Sequence, residues 1–215
     1  MSDCLYWLIG RGGSIACNLN WVVTEEIKQL SREEQIIRIK SEVSNEMNAS
    51  HINVSPYKEL LSILSKKTDP DWRHMFITTN WDYLLQREIS NLALVEKPRW
   101  LSNSHVYHIN GTVENLHDNS QRSPFLLESD EPERRVQTTE ANEAFDHMSI
   151  GQTFVVIGMS FECEMDKFLL ASLNRIEDDM PIGSSNWFII NPNTEAMNKT
   201  AQSIKNALPR QIYTH

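Results

Sequence analysis

The chain has 215 residues, 40% hydrophobic and 23% charged, enough to bury one substantial core with room for a small second lobe. Its formal net charge of −9 argues against a nucleic-acid duplex as the main ligand, because neutralising phosphates takes clustered Lys and Arg; Lys66-Lys67 and Arg134-Arg135 read as solvated faces. Cys4, Cys17 and Cys163 lie far apart with no C-x-x-C pair, so neither a disulfide framework nor a structural zinc site is expected, and the setting reads as a reducing cytoplasm.

In chain order, the first apolar run is "CLYWLIG" (4–10). It has no basic region before it and is too short to span a membrane, so it reads as a buried strand rather than a targeting segment. "TEEIKQLSREEQIIRIKSEVSNEM" (24–47) puts Ile27, Leu30, Ile36, Ile37 and Val43 roughly on one helical stripe, and "SPYKELLSILSKK" (55–67) opens on a Ser-Pro helix start. Strand runs follow at "HMFITTN" (74–80), "HVYHING" (105–111), "TFVVIGMS" (153–160) and "NWFIINPN" (186–193), with lengths and content that suit strands covered on both faces. Helical patterns lie between them at 81–94, 164–179 and 194–208. Strand alternating with helix predicts an α/β fold: a doubly wound, mostly parallel, Rossmann-like sheet with helices on both faces. We expect one domain over 1–215, with a helical insertion at 24–67 that can cover a pocket. The polar stretch 114–137 reads as a surface loop or small lobe whose kernel "PFLL" packs back on the main body.

Ligands of open parallel sheets gather beyond the carboxyl ends of the strands. The predicted strands end there in polar clusters: Gly10-Arg11-Gly12-Gly13-Ser14, Thr78-Thr79-Asn80-Trp81-Asp82, Asn110-Gly111-Thr112, Gly158-Met159-Ser160 and Asn191-Pro192-Asn193. The three glycines permit close backbone approach, and Ser14 can cap a helix or offer its hydroxyl to a phosphate. Taken alone, the loop reads equally as a phosphate cradle or as a simple turn.

The ordered set "LIGRGGSIA", "FITTNWDYLL", "VYHINGTVEN", "FVVIGMSFECEMDKFLL" and "FIINP" resembles the sirtuin-like (silent information regulator) NAD-binding superfamily, especially its bacterial NAD-consuming defence branch. The resemblance implies that Gly10, Arg11, Gly12, Gly13 and Ser14 wrap the NAD pyrophosphate. It implies that Thr79, Asn80, Trp81 and Asp82 form the segment in which Asn80 lies by the nicotinamide ribose and orients the attacking water and Asp82 supports that loop and the nicotinamide side; Trp81 reads equally as a wall of the nicotinamide pocket or as core packing. It further implies that Gly158 and Ser160 contact the ribose-phosphate side, and that Asn191 helps hold the adenosine ribose.

Some positions depart from the family pattern. Asn110 stands where the family has its histidine base, and a carboxamide cannot take a proton. His108, two residues earlier, shares a face with Asn110 if the strand continues, but stands roughly 6–7 Å back along it. Catalytic and structural readings of His108 both stand, as do two for Arg11: a bidentate contact to the pyrophosphate, or an ion pair turned away from it. The acidic residue usual after Ser-Phe is displaced, with Glu162, Cys163 and Glu164 nearby, and Cys163 reads as an inert thiol because nothing beside it activates it. The remaining histidines form no H-x-x-x-H or H-E-x-x-H pattern, so no metal is expected. The two cysteine pairs of the family's zinc lobe are lacking, which disfavours protein deacetylation.

The resemblance therefore implies an NAD hydrolase that depletes NAD in anti-phage defence, with NAD as substrate. Such an activity is toxic and must be held off until triggered, which implies a hetero-oligomer with a protein partner that senses infection. Short sirtuin-like subunits of multi-gene defence systems such as Kongming work beside a partner resembling a purine-nucleotide pyrophosphatase. The alternative expectation is a catalytically weak or inactive module that binds NAD or ADP-ribose, or a structural subunit; neither nucleic acid nor membrane is expected as a partner.

Overall fold

The computed structural model describes residues 4–67, 69, 71–114, 125–131, 139–149, 153–179, 185–208 and 212–214. Its strands are β1 (Cys4–Ile9), β2 (Arg73–Thr78), β3 (His105–His108), β4 (Thr153–Ile157), β5 (Ser185–Ile190) and β6 (Ile212–Thr214). They form one sheet in the order β3-β2-β1-β4-β5-β6, and every described pair is parallel. Parallel neighbours need crossover connections, and the helices supply them. The chain walks outward from β1 to β3, then returns across the sheet to β4, so the strand order reverses between β1 and β4. That reversal opens a crevice at the carboxyl ends of these two strands.

Before the reversal come α1 (Arg11–Ala16), α2 (Glu25–Lys28), α3 (Arg32–Met47), α4 (Ser55–Lys67) and α5 (Leu84–Val95); after it come α6 (Thr139–Met148), α7 (Glu164–Asp179) and α8 (Thr194–Ala207). The pattern expected over 24–47 divides in two because Ser31 starts a new helix with a capping box, its hydroxyl accepting from the Glu34 backbone N–H while the Glu34 carboxylate accepts from the Ser31 N–H. The expected stripe is also corrected. Ile36, Ile39, Val43 and Met47 are buried at helical spacing, whereas Ile37, one residue and so about 100° round, is 69% exposed, and Leu30 is exposed beyond the end of α2.

Alternation along β1 sends Trp7 and Ile9 to one face, with Phe76, Val106 and the buried residues of α3, α4 and α5, and sends Tyr6 and Leu8 to the other, with Phe154, Trp187 and residues of α6, α7 and α8. One expectation fails at β5: Phe188 and Ile190 are 41% and 52% exposed rather than covered. The helices that precede the reversal pack over β1 to β3, and those that follow it pack on the opposite face, which leaves these side chains beyond the first layer. Elements beyond the expected runs are the short helix α1, a 3-10 helix over Arg99–Asn103, helix α6 and strand β6. Of the segment 114–137, residues 115–124 and 132–137 lie outside the described residues. Within it, Phe125, Leu126 and Leu127 are buried in the body, as the "PFLL" kernel suggested.

Candidate functional site

Loops from β1, β2 and β4 meet at the reversal. The backbones of Gly12 and Gly158 touch: the Gly12 N–H donates to the Gly158 carbonyl at 2.8 Å, and a Cβ built on Gly12 would lie 2.5 Å from the Gly158 Cα. Gly158 itself has a φ of +59°, so no side chain fits at either position without moving main chain. The Gly10 N–H donates to the Ile157 carbonyl and the Gly13 N–H to the Gly10 carbonyl, both at 3.0 Å. The glycines therefore serve a close crossing of two loops, and the amides of Gly10, Gly12 and Gly13 are engaged by backbone carbonyls.

The β2 loop is tied to this crossing. Asn80 Nδ2 donates to the Gly10 carbonyl at 3.0 Å and to Ser14 Oγ at 2.9 Å, and Ser14 Oγ donates to Asp82 Oδ2 at 2.5 Å. Asp82 Oδ1 accepts from the Leu84 backbone N–H at the start of α5. Thr79 Oγ1 donates to Asp166 Oδ1 at 2.8 Å, binding the β2 loop to the first turn of α7. Burial pushes both the Asp82 and Asp166 carboxyls above the usual carboxylate range, and the hydroxyls donated to them act in the opposite direction.

A cavity of about 200 Å³ opens here. Six of the expected site residues line it: Arg11, Ser14, Thr79, Asn80, Trp81 and Asp82. Its apolar wall, missed by the sequence reasoning, comes from Leu19 and Trp21-Val22-Val23 of the loop after α1 and from Val43 of α3. Also missed are Asp166 and Glu128; the residues weighed after Ser-Phe stopped at Glu164, two positions short of Asp166, and Glu128 adjoins the apolar kernel that packs back. Cys163 lines the cavity too, with its thiol pushed up to about 11 by burial and then by the charge of Asp166, so it stays protonated at neutral pH. Among the described residues Arg11 makes no ion pair with an acid; its Nη2 donates to the Trp21 carbonyl at 3.2 Å.

The wall that carries Trp81 is closed by residues 125–130. Trp81 Nε1 donates to the Leu126 carbonyl at 2.9 Å, and the indole stacks on Phe125 with centroids 5.2 Å apart. Arg32 holds this strap from α3, bonding both carboxylate oxygens of Asp130 at 2.7 Å and the Phe125 carbonyl at 3.0 Å.

The other expected residues do not line the cavity. Strand β3 ends at His108, because Gly111 takes a φ of +76° and its N–H turns back to the His108 carbonyl. The expectation that His108 and Asn110 share a strand face is thereby corrected. The His108 ring bonds Gln86 of α5 through Nε2 at 3.1 Å, and burial holds it down at about 4, so the imidazole is neutral. Asn110 is buried with its Nδ2 donating to the Thr79 carbonyl and its own carbonyl accepting from the Leu126 N–H, which makes it a clamp between the β2 loop and the strap. Ser160 Oγ accepts from the Glu162 N–H, and Asn191 Oδ1 accepts from the Asn193 N–H ahead of α8. Among the described residues, no three His, Cys, Asp or Glu side chains are grouped to hold a metal ion, and no helix is long and apolar enough to cross a membrane.

Sheet order and crossover pattern define a doubly wound, parallel α/β protein with its cavity at the switch point. No family model and no curated protein matches the chain. A solved structure described as "Structural Basis for the Mechanism and Regulation of Sir2 Enzymes" is similar to it, at 15% identity over 95% of this chain and 93% of that one, with a TM-score of 0.45.

Proposed function

We propose that the protein is an NAD hydrolase that cleaves nicotinamide from ribose, depletes NAD in anti-phage defence, and is turned on by a nucleotide-sensing protein partner. The observation that carries this reading is Asn80: a carboxamide anchored to the Gly10 carbonyl and Ser14, on the wall of a cavity at the switch point. Nicotinamide leaves as a neutral molecule through an oxocarbenium-like state, so the site must place a water and support developing positive charge rather than supply a strong base. Asn80 is suited to the first task and the Asp82 carboxyl to the second. A cavity of about 200 Å³ is smaller than the usual small-molecule pocket and suits one end of a dinucleotide, with the pyrophosphate at the mouth beside Arg11. With the amides of Gly10, Gly12 and Gly13 engaged, the Arg11 guanidinium is the group to meet the phosphates, by a charge-assisted contact that displaces the Trp21 carbonyl.

A second reading, a binding module for NAD or ADP-ribose without turnover, is favoured by Asn110, whose carboxamide is tied to the Thr79 carbonyl where a base would be wanted. One experiment separates the two. The purified protein, alone and with the products of neighbouring genes, is incubated with NAD, and nicotinamide and ADP-ribose are followed by chromatography while binding is measured by calorimetry. Hydrolysis predicts both products, with turnover lost and binding kept in Asn80→Ala. Binding without products under every condition selects the module, and absence of binding overturns both.

A further inference from the structure

Two indoles on the cavity wall have each given their single donor to the protein. The Trp21 Nε1–H goes to Glu42 Oε2 of α3 at 2.9 Å, with the other Glu42 oxygen held by Arg38 Nε, and the Trp81 Nε1–H goes to the Leu126 carbonyl at 2.9 Å. Neither ring can therefore hydrogen-bond a ligand, and what each has left to offer is its π surface. The rings meet as a corner, with centroids 6.5 Å apart and planes at 61°; Phe125 stacks on Trp81, and the Trp21 main chain is fixed by the Arg11 bond to its carbonyl. Among the described lining residues, the carboxyls of Asp82, Asp166 and Glu128 stand against the guanidinium of Arg11. Electron-rich ring faces beside an excess of acids suit positive charge. The rest of the wall is apolar, so a compact, strongly hydrated ammonium would lose its water there without replacement, whereas a flat cation with delocalised charge gives up little.

We infer that Trp21 and Trp81 read the charge of a flat ring: the cavity takes a planar heteroaromatic cation in preference to a neutral ring of the same shape, with Glu128 as counter-charge and Glu42 as the positioning residue that fixes Trp21. The inference rests on the hydrolase reading for the identity of that cation, the oxidised pyridinium end of NAD, but not for the preference itself. Under that reading the reaction abolishes the charge that is recognised. When the bond from ring nitrogen to ribose breaks, its electron pair returns to the nitrogen, and the ring becomes neutral nicotinamide. The product is then held no better than any neutral ring, so it clears the cavity instead of blocking it.

The test sets 1-methylnicotinamide, a cation, against its neutral isostere 3-methylbenzamide, with affinities measured by NMR titration in the millimolar range that suits fragments of this size. The unaltered protein should bind the cation about tenfold more tightly than the isostere, and nicotinamide no better than the isostere. The ratio of the two affinities is the readout, since a merely loosened fold weakens both ligands alike. Trp21→Leu should bring that ratio to within about twofold of unity, and Glu128→Gln should lower it about threefold. Glu42→Leu should lower it as well, whereas Glu42→Gln keeps an acceptor for the Trp21 N–H and should preserve it. If Trp21→Leu does not fold, Trp21→Phe, whose ring attracts cations less strongly, should still reduce the ratio. Equal affinity for cation and isostere would overturn the inference, as would absence of binding by both, or a ratio untouched by substitution of Trp21. The hydrolase reading fails separately: NAD then yields no nicotinamide, with or without a partner, while the cation is still preferred. Cleavage of NAD by a protein that binds both rings equally would keep that reading and sink this one.

Discussion

The contact between Gly12 and Gly158 leaves no space for a single methyl group. Gly12→Ala drives a Cβ onto main-chain atoms that cannot swing aside, so a loss of about 3 kcal/mol, the upper end of the overpacking range, is expected in urea unfolding. The substitution should also disturb the cavity, since Asn80 hangs on the same loop through Gly10. Arg11 is the opposite kind of residue, exposed and held by one bond to a carbonyl. Arg11→Ala should therefore leave stability within about 0.5 kcal/mol while weakening NAD binding about tenfold in calorimetry; equal affinity would remove Arg11 from the phosphate site. At this scale the glycines, Asn80 and Asp82 were legible in the sequence as a group. Their division of labour was not, because which proton Ser14 gives away depends on a carboxylate 68 positions further along.

Among elements, α3 shows how a helical stripe is read and misread. Ile36 and Ile37 are chemically identical neighbours, yet one is 5% exposed and the other 69%. Ile36→Ala should cost about 2–4 kcal/mol by leaving a cavity, and Ile37→Ala less than about 0.5 kcal/mol, a contrast that thermal or urea unfolding resolves. The N-terminal end of α3 also carries the strap, through the two-pronged bond from Arg32 to Asp130. Arg32→Ala leaves the Asp130 carboxylate without that partner and should cost about 1–3 kcal/mol. Because the strap holds Phe125 and the Leu126 carbonyl against Trp81, the same change should speed hydrogen exchange at the Leu126 and Leu127 amides while those of β1 stay protected. The strap lies within a polar stretch, where only its apolar kernel announced that it folds back.

Across the whole molecule, two buried histidines link stability to pH. Burial holds His74 and His108 at about 4 in the folded state against an ordinary value of 6.5. The unfolded chain therefore takes up protons first, and stability falls as pH drops from about 6.5 to 4, by on the order of 3 kcal/mol for each histidine. Asp82 and Asp166, raised by burial, act with the opposite sign and regain some stability as pH falls through their raised values. The histidine effect should dominate between pH 7 and 5. His74→Phe should roughly halve that slope in urea titrations at several pH values, even though it strands the Trp7 indole N–H that now donates to His74 Nδ1. An unchanged slope would show that His74 is not the group titrating. The sequence by itself determined the alternation of strand and helix, and with it the parallel sheet and the edge at which a site forms, because hydrophobic period and turn chemistry are local properties of the chain. Only the tertiary structure decided that β3 stops at His108, that β5 keeps an open face, and that Asp166, Glu128 and the Trp21 loop complete the cavity. Those outcomes depend on which distant segments pack together, and no local pattern encodes a partner that lies many positions away.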